Sequence, residues 1–223
     1  MVTARPGALP LFPLETVVLF PGVRAPLHIF EPRYRQMMES ALRGDRAIGM
    51  ATVLPEHRER MAEAPPLFEI GCAGLIEAFE RLSDGRFNLL LLGTARFRML
   101  RELEPEGGRL FRVAEVEWLE DAEPAREAVA SLDAPRARVM DALREILVRS
   151  GRGPEELAAE PLGALDTTLF TNTICQMLAL PAEEKQSLLA ADGTERRLDA
   201  LEGLLALHLA RLKLPFGRSD TLH

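Results

Sequence analysis

Lys185 and Ser187 stand two residues apart, and a lysine amine that takes the proton of a serine hydroxyl is one chemistry that cleaves peptide bonds. The spacing argues against it here. PAEEKQSLL reads as a helix, and residues two apart on a helix point to different faces. The other lysine, Lys213, has no serine near it until Ser219. The four histidines, His28, His57, His208 and His223, form no HxxxH or HExxH pattern, and none is close in sequence to a cysteine, so no zinc site is indicated. His28 alternates with Leu27 and Ile29 on a short strand and is expected to point away from the apolar layer. His208, within GLLALHLARL, is expected as a structural histidine on the face of Leu198, Leu201, Leu205 and Leu212. Cys72 and Cys175 lie about a hundred residues apart without a CxxC, which reads as two buried reduced thiols. GxSxG, a Gly-rich dinucleotide loop and the GxxxxGK[ST] phosphate loop are absent from the sequence. Glu183 and Glu184 follow Pro181 in the first turn of a helix, where carboxylates complement the macrodipole. No catalytic, cofactor-binding or metal-binding residue emerges, and no enzyme activity is expected.

A binding protein is the remaining class, and charge narrows its partners. The chain has 223 residues, 47% of them hydrophobic, with 27 basic and 34 acidic side chains and a net charge of −7. Nearly all the positive charge is arginine, interleaved with Glu and Asp. Nucleic acid is disfavoured as a partner, because phosphate binding leaves a basic patch or stripe. No run approaches the roughly 18 apolar residues of a membrane span. Pro10, Pro13 and Glu15 break the N-terminal apolar stretch before a signal-peptide core could form, so no membrane association is expected and the expected location is the cytoplasm.

The elements that must position a binding surface fall into two grammars. Residues 8–120 show short strand-like runs separated by turn signals, and residues 124–212 show helical periodicity. Residues 1–7 and 218–223 are expected to be flexible. In the first region AIGMATV (47–53), FEIGCAGLIEAFERL (68–82), RFNLLLLG (86–93), ARFRMLREL (95–103) and LFRVAEVEWL (110–119) read as strands. Asp84-Gly85 suits a type I′ hairpin turn. Gly71 and Gly74 suit a bend or bulge and Gly93 a second corner, so a small, partly closed barrel is expected rather than a flat sheet. Pro10, Pro13, Pro21 and Pro26 exclude a long central strand at the N-terminus, and Pro21-Gly22 fits the centre of a type II turn. Glu31-Pro32 starts a helix over about 31–43 with Tyr34, Met37, Met38, Ala41 and Leu42 on one face, ending at Gly44 as a left-handed cap over one mouth of the barrel.

The second region predicts four helices. The first covers 125–150 with Val129, Leu132, Val139, Met140, Leu143, Ile146 and Leu147 inward and a break or kink near Pro135. Leu165, Leu169, Phe170, Ile174, Met177 and Leu178 mark the second, 183–191 the third, and Thr194 caps a leucine-rich fourth.

LPLFPLETVVLFPGVRAPLHIFEPRYRQMMESAL, with AIGMATV, FEIGCAGLIEAFERLSDGRFNLLLLGTARFRML and LPAEEKQSLLAADGTERRLDALEGLL, resembles the N-terminal substrate-binding domain of Lon proteases over residues 8–212. The PLFPL…FPG…PLHIFEPRY block is similar to the version in stand-alone bacterial Lon-N-like proteins. The resemblance implies an α+β fold, a PUA-like pseudobarrel of mostly antiparallel strands followed by a C-terminal helical bundle. Without a phosphate loop, neither the ATPase nor the protease activity of the full family is expected. The implied role is to hold unfolded or exposed polypeptide segments for a partner such as a protease or chaperone, which requires an apolar groove with a polar rim. Candidate residues for that surface are Phe20, Pro21 and Gly22 of the FPG loop, Phe30, Glu31, Arg33 and Tyr34 of IFEPRY, and Met37. The competing reading is that Phe30, Tyr34 and Met37 only seal the barrel mouth, with Glu31 and Arg33 as a cap and its partner. A cleft between barrel and bundle is a second candidate surface. The alternative functions are RNA binding by a PUA-like barrel and a regulatory module with a small-molecule pocket at the barrel mouth.

Overall fold

Pro10 and Pro13 lie inside the first strand, and how that strand is paired explains why they are tolerated. The computed structural model describes residues 5–121, 130–153 and 159–213. Strand β1 (Ala8–Leu14) pairs antiparallel with β6 (Val113–Leu119) through residues 8–10 and parallel with β3 (Ala47–Thr52) through residues 11–14. Each half of β1 therefore serves one neighbour, so a missing proline donor removes no bond from a doubly paired stretch.

The remaining strands are β2 (Arg24–Ile29), β4 (Ile70–Arg81) and β5 (Phe87–Leu103). The order is β2-β5-β4-β3-β1-β6, and β6 returns to pair with β5. The mostly antiparallel sheet thus curls back on itself through one long strand, as a pseudobarrel rather than a regular barrel. Its interior holds Leu9, Leu11, Ala51, Val53, Leu67, Ala73, Phe97, Ala114 and Val116. Alternate positions of strands from opposite sides of the curl supply these side chains, which is how a small barrel fills itself.

Three local expectations are corrected. The runs 86–93 and 95–103 form one 17-residue strand, with Thr94 as an extra residue between the pairs Ala73↔Ala95 and Gly74↔Gly93. Gly93 is required by a close approach: a Cβ there would lie 2.1 Å from the Phe20 carbonyl oxygen. The Asp84-Gly85 hairpin has a three-residue loop, not a type I′ turn. Gly85 takes φ 82° while Asp84 has no positive φ, and the Leu82 N–H donates to Arg86 O at 2.8 Å. The Asp84 carboxylate holds this form by accepting from the Arg86 backbone N–H at 3.0 Å. Helix α1 (Pro32–Arg43) buries Tyr34, Met37, Met38 and Ala41 as its spacing requires, but Gly44 has φ −109°. Arg46 takes the left-handed conformation, at φ 57°, and its N–H closes on Ala41 O at 3.0 Å.

The described helical elements are α2 (Asp133–Arg149), α3 (Ala159–Gly163), α4 (Thr167–Met177), α5 (Ala182–Ala190) and α6 (Gly193–Lys213). The chain separates into two compact units, Met1–Ala122 with Asn172–Asp192, and Glu123–Thr171 with Gly193–His223. In the first unit, α5 is tied down by the Gln186 amide donating to Ile70 O at 2.6 Å and by an Arg58–Glu183 ion pair at 2.6 Å. In the second unit, Val139 and Leu143 of α2 and Leu198, Leu201, Leu205 and Leu209 of α6 are buried, and Arg138 pairs with Glu202 at 2.6 Å. Arg136 donates to the carbonyls of Leu162, Gly163 and Leu165 and lies over the Phe170 ring, so it caps the end of α3.

Pro135 sits in the first turn of α2, where its missing N–H costs nothing, so it starts a helix instead of kinking one. Residues 125–129, Val129 among them, lie outside the described residues. His208 is exposed, one position off the buried stripe that Leu209 completes, while Leu212 and Met177 are exposed rather than inward.

Candidate functional site

The change from strand to helix after Ile29 builds a hollow. β2 ends at Ile29, Pro32 begins α1, and the Tyr34 and Arg35 N–H groups close the first turn on Glu31 O at 3.0 and 2.9 Å. Phe30 lies between the two elements and is left 59% exposed. Beside it lies an open cavity of about 320 Å³ lined by Phe12 and Leu14 of β1, Glu15 and Thr16 after it, His28 to Glu31, Tyr34 and Met61.

Tyr34 is the buried wall of this cavity, only 4% exposed. Its ring meets Phe12 edge-on with centroids 4.6 Å apart, and the Arg33 guanidinium covers it at 4.5 Å. Its hydroxyl is buried without a hydrogen-bond partner among the described residues. Such a group costs about 1–3 kcal/mol relative to a satisfied one. Burial pushes the phenol's pKa up; Arg33 opposes the shift, Glu31 adds to it, and Arg112 opposes it. The hydroxyl is therefore a neutral donor and acceptor at physiological pH. Arg33 is held by Glu31 Oε2 at 2.9 Å and Met61 O at 3.0 Å, so the Glu31 carboxylate pairs with Arg33 and does not cap α1. His28 places Nδ1 2.7 Å from Asn88 Oδ1, and its Nε2 lies 3.3 Å from Arg86 Nη1. Both ring nitrogens are engaged, which leaves the imidazole no free base for catalysis.

Phe30, Glu31 and Tyr34 come together at the cavity, and Arg33 braces it from behind. The FPG loop and Met37 do not join them. Phe20 and Met37 are fully buried. The FPG turn forms as its residues require, with Gly22 at φ 79° and the Val23 N–H donating to Phe20 O at 3.2 Å. It is fastened to α4: the Asn172 amide donates to Pro21 O at 2.9 Å, and the Phe20 N–H donates to Gln176 Oε1 at 3.0 Å. Phe12, Glu15, Thr16, His28 and Met61 are cavity residues that the sequence reading missed. Glu15 carried a signal, as the one charge inside LFPLETVVLF.

The other chemistry-bearing residues are structural. Lys185 donates from Nζ to Gln176 O at 2.7 Å, and burial lowers its pKa. Ser187 donates to Glu184 O within its own helix at 2.7 Å. Cys72 and Cys175 are buried and are not joined in a disulfide. Among the described residues no group of three or more His, Cys, Asp or Glu could hold a metal ion, and no helix is long and apolar enough to cross a membrane.

Comparison with known proteins gives this geometry a context. Lon protease 4 of Sorangium cellulosum is 32% identical over 206 residues, covering 92% of this chain and 24% of that protein. The Lon protease of Flavobacterium johnsoniae is 26% identical, covering 94% of this chain and 25% of that protein. The chain thus spans about a quarter of the length of these relatives. A crystal structure of a Lon N-terminal domain protein from Xanthomonas campestris superposes with a TM-score of 0.60 at 28% identity, covering 89% of this chain and 97% of that one. The N-terminal domain of a Mycobacterium avium complex Lon protease shares the fold, with a TM-score of 0.66 at 18% identity over 90% of this chain and 99% of that one. The family model of the ATP-dependent protease La (LON) substrate-binding domain matches residues 8–206, and the chain belongs to that family.

Proposed function

We propose that this protein is a non-catalytic polypeptide-binding module of the cytoplasm, which takes exposed apolar segments of unfolded proteins at the cavity beside Phe30 and presents them to a protease or chaperone. Residues 8–120 serve as the binding subdomain and residues 124–212 as the helical part of the chain, of which Asn172–Asp192 belongs to the same compact unit as the strands. One observation carries the reading. A largely exposed phenylalanine and a buried tyrosine line the same open hollow of about 320 Å³, and the tyrosine's hydroxyl has no hydrogen-bond partner among the described residues. That is a largely apolar seat with a few polar side chains in its lining, Glu15, Thr16 and His28 among them, the general make-up of a ligand site. Membership of a substrate-binding family supports the same reading. Met61 adds a flexible, polarisable wall suited to varied side chains.

Fluorescence anisotropy with a labelled unfolded polypeptide tests it. Saturable binding is expected, weakened about tenfold by Phe30→Ala, since truncating an aromatic anchor typically costs about 1–2 kcal/mol or more. Phe30 is exposed, so its removal leaves the core intact. Binding that is absent, or indifferent to Phe30→Ala, would sink the proposal.

A further inference from the structure

The cavity has a charge that nothing among the described residues neutralises. Glu15 lines it, half-buried, and among the described residues no cation or hydrogen-bond donor pairs with its carboxylate. The other carboxylate of the lining, Glu31, is already paired with Arg33 at 2.9 Å. Arg33 in turn spends its remaining reach on Met61 O and the Tyr34 ring, so it offers no positive charge to a ligand. His28 is engaged at both nitrogens by Asn88 and Arg86. What faces an occupant is an apolar wall of Phe12, Leu14, Ile29, Phe30 and Met61 with one uncompensated negative charge at its rim.

We infer that this cavity selects polypeptide segments in which an aromatic or large aliphatic residue stands beside a lysine or arginine, with Glu15 as the residue that reads the positive charge. The inference rests on the polypeptide-binding function proposed above and adds a rule of client choice to it. Charge complementarity carries it. An apolar side chain in the hollow displaces water from around Glu15, and a carboxylate losing water without a cation is penalised, whereas one gaining a cation forms a charge-assisted hydrogen bond. An acidic neighbour in the client would meet Glu15 directly and be rejected. The exposed ring of Phe30 offers a further face to the same cation, since the Tyr34 face is already covered by Arg33. The net charge of −7 works in the same direction at longer range.

The test uses the full chain and four labelled unstructured peptides that differ at two adjacent positions, carrying Phe-Lys, Phe-Ala, Phe-Glu or Ala-Lys. Anisotropy titrations at about 0.15 M salt, where long-range steering is largely screened, isolate the local contact. The Phe-Lys peptide is expected to bind about tenfold tighter than Phe-Glu, the size of effect one charge-assisted contact gives. Glu15→Gln keeps the shape of the side chain and should bring that ratio near one, with Phe-Ala binding more tightly than to the parent because no carboxylate is left to lose its water. Circular dichroism of the variant checks that the fold persists. A ratio that survives Glu15→Gln, or Phe-Ala binding with no preference between Phe-Lys and Phe-Glu, overturns the charge rule and leaves the polypeptide-binding proposal standing. Ala-Lys binding as tightly as Phe-Lys overturns the apolar half of the rule. No binding by any peptide removes both proposals together.

Discussion

Tyr34 is where structure and proposed function compete for one side chain. Its ring is core, packed edge-on against Phe12, while its hydroxyl has no partner among the described residues. Tyr34→Phe removes that polar atom without changing the packing. It should therefore leave stability unchanged or raise it by about 1 kcal/mol, because a buried unsatisfied group is costly. The measurement is the urea midpoint at pH 7. The pH dependence follows from the raised phenol pKa. The folded state holds the proton more tightly than the unfolded one, so this contribution is complete below the unfolded value near 10 and is lost as pH climbs through the folded value. Tyr34 is the one tyrosine of the chain, so phenolate absorbance reports on it alone. The native midpoint should lie above that of the urea-unfolded protein; coincident midpoints would contradict the burial.

At the scale of elements, two glycines make opposite predictions. Gly93 lets β5 pass beneath the FPG turn, where an added Cβ would sit 2.1 Å from a backbone oxygen that cannot swing away. Gly93→Ala should destabilise by at least about 2 kcal/mol, by the cost of forcing atoms into a packed interior. Gly203 lies within α6, exposed, and an added methyl group there would meet nothing within 4 Å. Gly203→Ala should stabilise by about 0.5–1 kcal/mol through helix propensity and the entropy of the unfolded chain. Thermal unfolding of the two variants beside the parent checks both, and a shift of the same sign in each would refute the contrast. The turn above Gly93 has its own fastening in Asn172 and Gln176, which reach it from about 150 residues away.

The first compact unit turns on a buried arginine. Arg96 is 2% exposed and donates to Asp121 at 2.6 Å, Asp192 at 3.2 Å and the Leu189 carbonyl at 3.2 Å, so one side chain on β5 gathers the end of the sheet region and the end of α5. Arg96→Met fits the space and loses all of these bonds. Breaking a buried pair from one side typically costs about 3–5 kcal/mol, and the variant should show a correspondingly lower unfolding midpoint. The net charge of −7 makes a prediction for the whole molecule. Single-stranded RNA should show no saturable binding at about 0.15 M salt, because there is no basic stripe to release counterions from phosphate. Tight RNA binding with a steep salt slope would require a different reading of the surface.

Family, the strand-rich first region and helical second one, the FPG turn and the apolar face of α1 were all legible in the order of the residues. These are properties of neighbours along the chain: proline and glycine set backbone angles locally, and a stripe repeats every three or four residues whatever it packs against. Part of the proposed site was legible for the same reason, since Phe30, Glu31 and Tyr34 of its lining, with Arg33 beside them, lie within one strand-to-helix junction. The rest had to wait for the folded chain. Folding brought Phe12, Glu15 and Met61 to Phe30, and it withdrew Phe20 and Met37 into the core. It also merged two expected strands into β5 across Gly93 and moved His208 off the buried stripe. Each of these depends on which distant segment comes within a few ångströms, such as Gln176 reaching Phe20 or Phe20 O lying over Gly93. Local preference does not encode such approaches. Burial and pairing between segments far apart in sequence settle them.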